Sequence, residues 1–174
     1  MLKNLRLVFL LFSICGFSQQ NIFDVARSGN VNDIKELMKI NPDTINIKDK
    51  NGYDPLTLAC YRGNTKVAFF LANTANDING SSKFGTPLMA AVYKNYDAIV
   101  KVLLERKVKV NTVDANGTSA LHYAVINRNE IIVKYLVNYG ANVLLKDNRG
   151  KTALDYAKIS GEEAIIKLLK KKSS

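Results

Sequence analysis

Few side chains in this sequence have the chemistry for catalysis or metal binding, and their spacing argues against both. His122 is the single histidine of the 174-residue chain, and its cysteines number two, Cys15 and Cys60. A zinc site takes three or four clustered ligands, which one His and one distant thiol do not supply. His122 instead stands three residues after Ser119, close enough to support a helix N-cap. No Gly-rich phosphate loop of the Walker or dinucleotide type occurs, and no pairing nominates a nucleophile with its base. The expectation is a non-enzyme with no catalytic, cofactor or metal residues. Scattered Asp and Glu brought into one pocket by the fold would revive an enzyme reading.

The charge balance speaks to partners. Twenty-five Lys and Arg against 15 Asp and Glu give a net charge of +10, which favours an acidic protein, an anionic polymer or membrane surface, or nucleic acid. Many of these cations, among them Lys66, Lys101, Arg106, Lys107, Lys109 and Lys134, fall on the second helices and their ends, where a solvated convex face accounts for them without a ligand. Nucleic acid therefore ranks below protein as a partner.

The N-terminus reads differently from the rest. Lys3 and Arg6 precede an apolar run, Leu7 to Ile14, that ends in small residues near Gly16 and Ser18, the three-part layout of a secretory signal peptide. The run is shorter than the ~20 apolar residues a membrane-spanning helix needs. Residues 1–18 are thus expected to be a leader and 19–174 the mature domain, exported to the periplasm or secreted from a bacterial cell. Removing Lys3 and Arg6 leaves a charge of +8 and Cys60 as the one remaining thiol. An intramolecular disulfide is then excluded, and Cys60 is expected in the core.

The elements that must position any site come from an internal period. Gly52, Gly85, Gly117 and Gly150 recur at intervals of 33, 32 and 33, and Leu56, Leu88, Leu121 and Leu154 keep the same register with Ala59, Ala91, Ala124 and Ala157. A fixed period of this length dictates a stacked array. Asp54, Thr86, Ser119 and Thr152 each precede a helical pattern and suit the N-cap, with Pro55 and Pro87 at the first helical position, where the missing N–H costs nothing. Thr152 with Asp155 reads as a capping box. Gly63, Asn95 and Gly161 suit the left-handed residue that ends a helix, and Arg128 breaks that column. A second helix follows in each unit, with Val67/Ala68, Ile99/Val100, Ile132/Val133 and Ile165/Ile166 leading to Leu71, Leu103, Leu136 and Leu169 at helical spacing. Ile22 to Ile40 repeats the pattern as an N-terminal capping unit, and Lys167 with Lys170 to Lys172 suits a polar closing helix.

The segments Asn51-Gly52-Tyr53-Asp54-Pro55-Leu56, Phe84-Gly85-Thr86-Pro87-Leu88, Asn116-Gly117-Thr118-Ser119-Ala120-Leu121-His122 and Arg149-Gly150-Lys151-Thr152-Ala153-Leu154 resemble the ankyrin signature. In that signature an Asp-x-x-Gly turn leads into Thr-Pro-Leu-His. The turn Asp is present as Asp49, Asp114 and Asp147. Ser82 replaces it in the third unit, which also lacks one residue between Gly85 and Thr86. The resemblance runs from Asn21 to about Lys172. It implies an all-α solenoid of about five helix-turn-helix units joined by short β-hairpin-like turns, with units near 21–48, 49–81, 82–113, 114–146 and 147–172.

The resemblance also implies an activity, the display of a surface that holds another protein, and a monomer is the expected state. Ankyrin partners generally contact the turn tips and the exposed end of each first helix. Here that surface comprises Tyr61, Tyr93, Ile126 and Ile159, with Arg27 in the first unit, flanked by Arg62, Lys94 and Asn127, and the tip residues Tyr53, Phe84 and Arg149. Tyr and Ile at solvent-facing positions in successive units point to an interaction strip, and Tyr and Arg are enriched in binding hot spots. The expected groove centres on Tyr61, Tyr93 and Phe84, with Arg62 and Lys94 attracting an acidic, partly apolar surface. An immunity-like inhibitor of an exported enzyme or toxin would use the same groove. The competing explanation is that these side chains lean between units and pack on their neighbours.

Overall fold

A computed structural model describes residues 21–82 and 85–173. Among the described residues ten α-helices pair in chain order: α1 (Ile22–Ser28) with α2 (Val31–Ile40), α3 (Pro55–Arg62) with α4 (Thr65–Thr74), α5 (Pro87–Tyr93) with α6 (Asp97–Glu105), α7 (Ala120–Ile126) with α8 (Glu130–Asn138), and α9 (Ala153–Ser160) with α10 (Glu163–Ser173). A 3-10 turn, Pro42–Asn46, follows α2. First helices stack on first helices and second on second, which gives two layers. Neither layer buries its apolar stripe alone, so each unit is stable only against its neighbours.

Short polar side chains start the helices. Asp54 accepts from the Thr57 amide at 2.6 Å, Thr86 from Met89 at 3.3 Å, Ser119 from His122 at 3.4 Å and Thr152 from Asp155 at 3.2 Å. Capping boxes close at Thr152/Asp155 and at Asn30/Asp33. The Ala column is fully buried, as are Leu56, Leu88 and Leu121, while Leu154, in the last unit, is half-buried. Leu71, Leu103, Leu136 and Leu169 are buried between the layers.

The helix-ending column is uniform in backbone although not in residue type. Gly63 and Gly161 have φ of 72° and 70°, and Asn95 and Arg128 join them at 58° and 56°. Arg128 thus occupies the conformation its sequence argues against. Its Nε lies 3.3 Å from Glu162 of the following unit.

The turns are paired by isolated bridges, Val113 with Ser119 and Lys146 with Thr152, and in the shortened third unit Ser82 with Gly85. In the other turns one carboxylate oxygen organises the tip. Oδ1 of Asp49, Asp114 and Asp147 each accepts the backbone amides two and four residues on, at 2.8 to 3.0 Å. At the opposite end of the units an asparagine ladder joins successive units from the first to the fourth. Asn46 accepts from the Asn76 amide, Asn79 from Lys109 and Asn111 from Asn142, at 2.6 to 2.9 Å. The leader expected at residues 1–18 lies outside the described residues, and no described helix is long and apolar enough to cross a membrane.

Candidate partner-binding groove

The caps and the stacking period together place one set of side chains. The cap at Asp54 starts α3 and the left-handed Gly63 ends it, so Tyr61 and Arg62 project from its last turn. One unit on, Thr86 starts α5, and Tyr93 and Lys94 hold the same positions. Between these helix ends and the tip of the second unit lies a hollow of about 560 Å³. Leu58, Met89 and Ala90 line it together with Tyr53, Tyr61, Tyr93 and Tyr123, and Arg27, Asp49, Asn51, Thr57 and Arg62 complete it. Its origin is compositional. The position two residues after the Leu column holds Leu58, Ala90, Tyr123 and Tyr156 in successive units, and the aliphatic side chains of the second and third units leave space that a tyrosine takes in the fourth and fifth.

The rim is aromatic and cationic. Tyr61 and Tyr93 are 43% and 53% exposed, yet both make ring contacts. Lys94 Nζ lies 5.2 Å from the centroid of the Tyr61 ring, a cation–π distance, and Tyr93 meets Tyr123 edge-on at 5.7 Å. The rings thus pack on neighbours and still offer about half their surface. Arg27 reaches Asp24 at 2.9 Å and Asp49 at 3.7 Å. Burial, reinforced by the hydrogen bond its hydroxyl donates to Asp114 at 2.6 Å, pushes the Tyr123 phenol up to about 12. Burial, then the charge of Asp49, raises the Tyr53 phenol as well. At neutral pH both are uncharged.

Of the residues expected at the site, Tyr53, Tyr61, Arg62 and Tyr93 come together around this hollow, with Lys94 beside Tyr61. Ile126 and Ile159 are 50% and 70% exposed on α7 and α9, and Arg149 is exposed at the last tip; none of the three lines the hollow. The Asn127 amide donates to the carbonyls of Val92 and Tyr93 at 3.1 and 3.0 Å, so it closes the end of α5 from the next unit. Phe84 lies outside the described residues. Tyr123, Asp49 and Met89 complete a hollow that sequence reasoning centred on Tyr61, Tyr93 and Phe84. The available signal was the Leu58, Ala90, Tyr123, Tyr156 column.

The residues with catalytic chemistry have structural surroundings. His122 is buried, and its Nδ1 accepts the Ser119 amide at 3.2 Å and lies 2.8 Å from the Ser119 hydroxyl, while Nε2 faces the Lys151 carbonyl at 3.1 Å. An amide must donate and a carbonyl must accept, so these partners fix the neutral ring with its proton on Nε2. Cys60 is buried, and burial followed by the charge of Asp54 pushes its thiol well above the ordinary range, the opposite of an activated nucleophile. Among the described residues no group of three or more His, Cys, Asp or Glu could hold a metal ion.

A two-layer stack of capped helix pairs with Asp-x-x-Gly turns defines a repeat protein, and the comparisons agree. The family model for ankyrin repeats in three copies matches residues 22–114 and 107–174. The chain belongs to the ankyrin-repeat family, whose repeats generally mediate protein–protein interaction. It is similar to alpha-latrotoxin-Lg1a of Latrodectus geometricus, 33% identical over 58% of this chain and 8% of the toxin. It is also similar to ankyrin repeat and SAM domain-containing protein 6 of Rattus norvegicus, 30% identical over 61% of this chain and 12% of that protein. A third relative is the probable E3 ubiquitin-protein ligase XBOS32 of Oryza sativa subsp. japonica, 28% identical over 65% of this chain and 23% of the ligase. The match spans less than a quarter of each of these relatives.

Proposed function

We propose that this chain is a non-catalytic binding module, exported from the cell, that takes an acidic and partly apolar segment of another protein in the groove between its second and third units. The observation that carries the reading is the hollow of about 560 Å³ with half-exposed Tyr61 and Tyr93 at its mouth and Arg62 and Lys94 beside them. An apolar concavity with a few polar groups is the usual form of a binding site. The net charge of +8 that remains without residues 1–18 favours an acidic partner and speeds its encounter.

The test is capture from the envelope fraction, with each captured protein then purified and titrated. Replacing both Tyr61 and Tyr93 by Ala should leave the far-ultraviolet circular dichroism unchanged and weaken binding at least tenfold; undiminished binding would reject the groove. Several partners of moderate affinity support an adaptor, whereas one tight target supports an immunity-like inhibitor. Recovery of the protein in the soluble cytoplasm, with residues 1–18 still attached, would reject export.

The charge also supports a second reading, attraction to an anionic polymer or to nucleic acid. That attraction would appear as heparin or DNA binding that falls steeply with salt.

A further inference from the structure

The groove reading leaves open which side chain fills the hollow, and the protein's own repeats carry an answer. In the fourth and fifth units the two carboxylate oxygens of the turn Asp have separate tasks. Oδ1 takes two backbone amides, and Oδ2 takes a phenol: Tyr123 donates to Asp114 at 2.6 Å and Tyr156 to Asp147 at 2.5 Å. Each tyrosine lies nine residues after its Asp. The second unit has the same turn, with Oδ1 of Asp49 holding the amides of Asn51 and Tyr53. Nine residues on, however, stands Leu58, which has no hydroxyl, and Asp49 Oδ2 faces the Arg27 guanidinium at 3.7 Å, beyond hydrogen-bond length. Among the described residues no phenol donates to it. Asp49 and Leu58 both line the hollow.

We infer that the groove receives a tyrosine of the partner, whose ring lies over Leu58 and Ala90 and whose hydroxyl donates to Asp49 Oδ2, as Tyr123 and Tyr156 do within their own units. This rests on the groove reading and narrows it. The partner supplies from outside the aromatic group that the second unit lacks. Charge complementarity sets what flanks that tyrosine. Arg62 and Lys94 stand at the mouth, so the adjoining partner residues are acidic. A phosphate on the ring would meet the Asp49 carboxylate, so the occupant is the unmodified phenol.

The probe is an acetylated, amidated pentapeptide of sequence Gly-Glu-Tyr-Glu-Gly, titrated into the full chain and followed by amide chemical shifts of Tyr53, Leu58 and Ala90. Saturable shifts are expected. Exchange of the peptide's Tyr for Phe should weaken binding tenfold or more, since a hydrogen bond to a charged group is worth at least that factor, and phosphorylation should abolish it. Asp49→Asn should erase the preference for Tyr over Phe, because the anionic acceptor is gone. Leu58→Tyr should occupy the hollow with the protein's own ring and remove peptide binding while circular dichroism is retained. Equal binding of the Tyr and Phe peptides, tighter binding of the phosphopeptide, or no saturable shift would overturn the inference. The Phe comparison uses the unmodified protein, so it decides the matter even where Leu58→Tyr does not fold. The groove itself is judged separately, by the Tyr61 and Tyr93 double variant against the captured partner.

Discussion

His122 of the fourth unit points its Nε2 at the backbone carbonyl of Lys151, 3.1 Å away in the turn of the fifth. Its other ring nitrogen accepts the Ser119 amide, so one buried side chain completes a helix cap and ties two units together.

His122→Ala strips the Ser119 amide of its partner and opens a cavity, while the Lys151 carbonyl keeps the Asp147 amide at 2.9 Å. An unsatisfied buried polar group costs about 1 to 3 kcal/mol, and the lost ring adds to it, so we expect a destabilisation of about 2 to 5 kcal/mol. Urea unfolding checks this. A loss below about 1 kcal/mol would show that the ring is not a joint between units.

Gly80 and Asp54 should be coupled. A Cβ at Gly80 would fall 2.1 Å from Asp54 Oδ2, in a buried carboxylate that Thr57 already holds as the α3 cap. Gly80→Ala should therefore destabilise by about 1 to 3 kcal/mol, within the range for overpacking. Asp54→Ser keeps the cap and removes the obstructing oxygen, so the double variant should recover part of the loss. Strict additivity of the two changes, measured in a double-mutant cycle, would contradict the contact.

Alkaline pH should loosen the fourth unit. The Tyr123 phenol is pushed up to about 12 by burial and by its bond to Asp114, whereas a tyrosine in the unfolded chain ionises near about 10. A raised folded pKa gives stability that is complete below the unfolded value and is lost as pH rises from there through the folded value. The thermal midpoint should therefore fall between about pH 10 and 12. Tyr123→Phe should flatten that fall in part, because Tyr156, raised first by its bond to Asp147 and then by burial, titrates in the same direction. An unchanged slope would refute the assignment.

Lys107 has φ of 57° in the loop after α6, at the position that Gly140, with φ of 88°, occupies one unit later. The left-handed region costs a side-chain-bearing residue about 1 to 2 kcal/mol, partly offset by the greater freedom of an unfolded glycine. Lys107→Gly should raise stability by up to about 1 kcal/mol, seen as a higher urea midpoint at unchanged slope. A lower midpoint would show that the Lys107 side chain contributes more than its backbone costs.

Much of the architecture was legible in the residues because a solenoid is written along the chain. The Leu and Ala columns, the caps at Asp54, Thr86, Ser119 and Thr152, the prolines behind two of them, and the supporting role of His122 are short-range features that spacing alone defines. The sequence also nominated Tyr53, Tyr61, Arg62 and Tyr93, which do share one hollow. Stacking decided the rest, because the partners belong to different units some thirty residues apart. Asn127 looked like a surface residue until the carbonyls of Val92 and Tyr93 came within its reach. Arg128 took a left-handed backbone because its neighbours in the helix-ending column set the turn, whatever its own preference. The hollow itself is a difference between units, aliphatic at Leu58 and Ala90 where Tyr123 and Tyr156 stand later. Such a difference becomes a cavity only when the helices that carry it lie side by side.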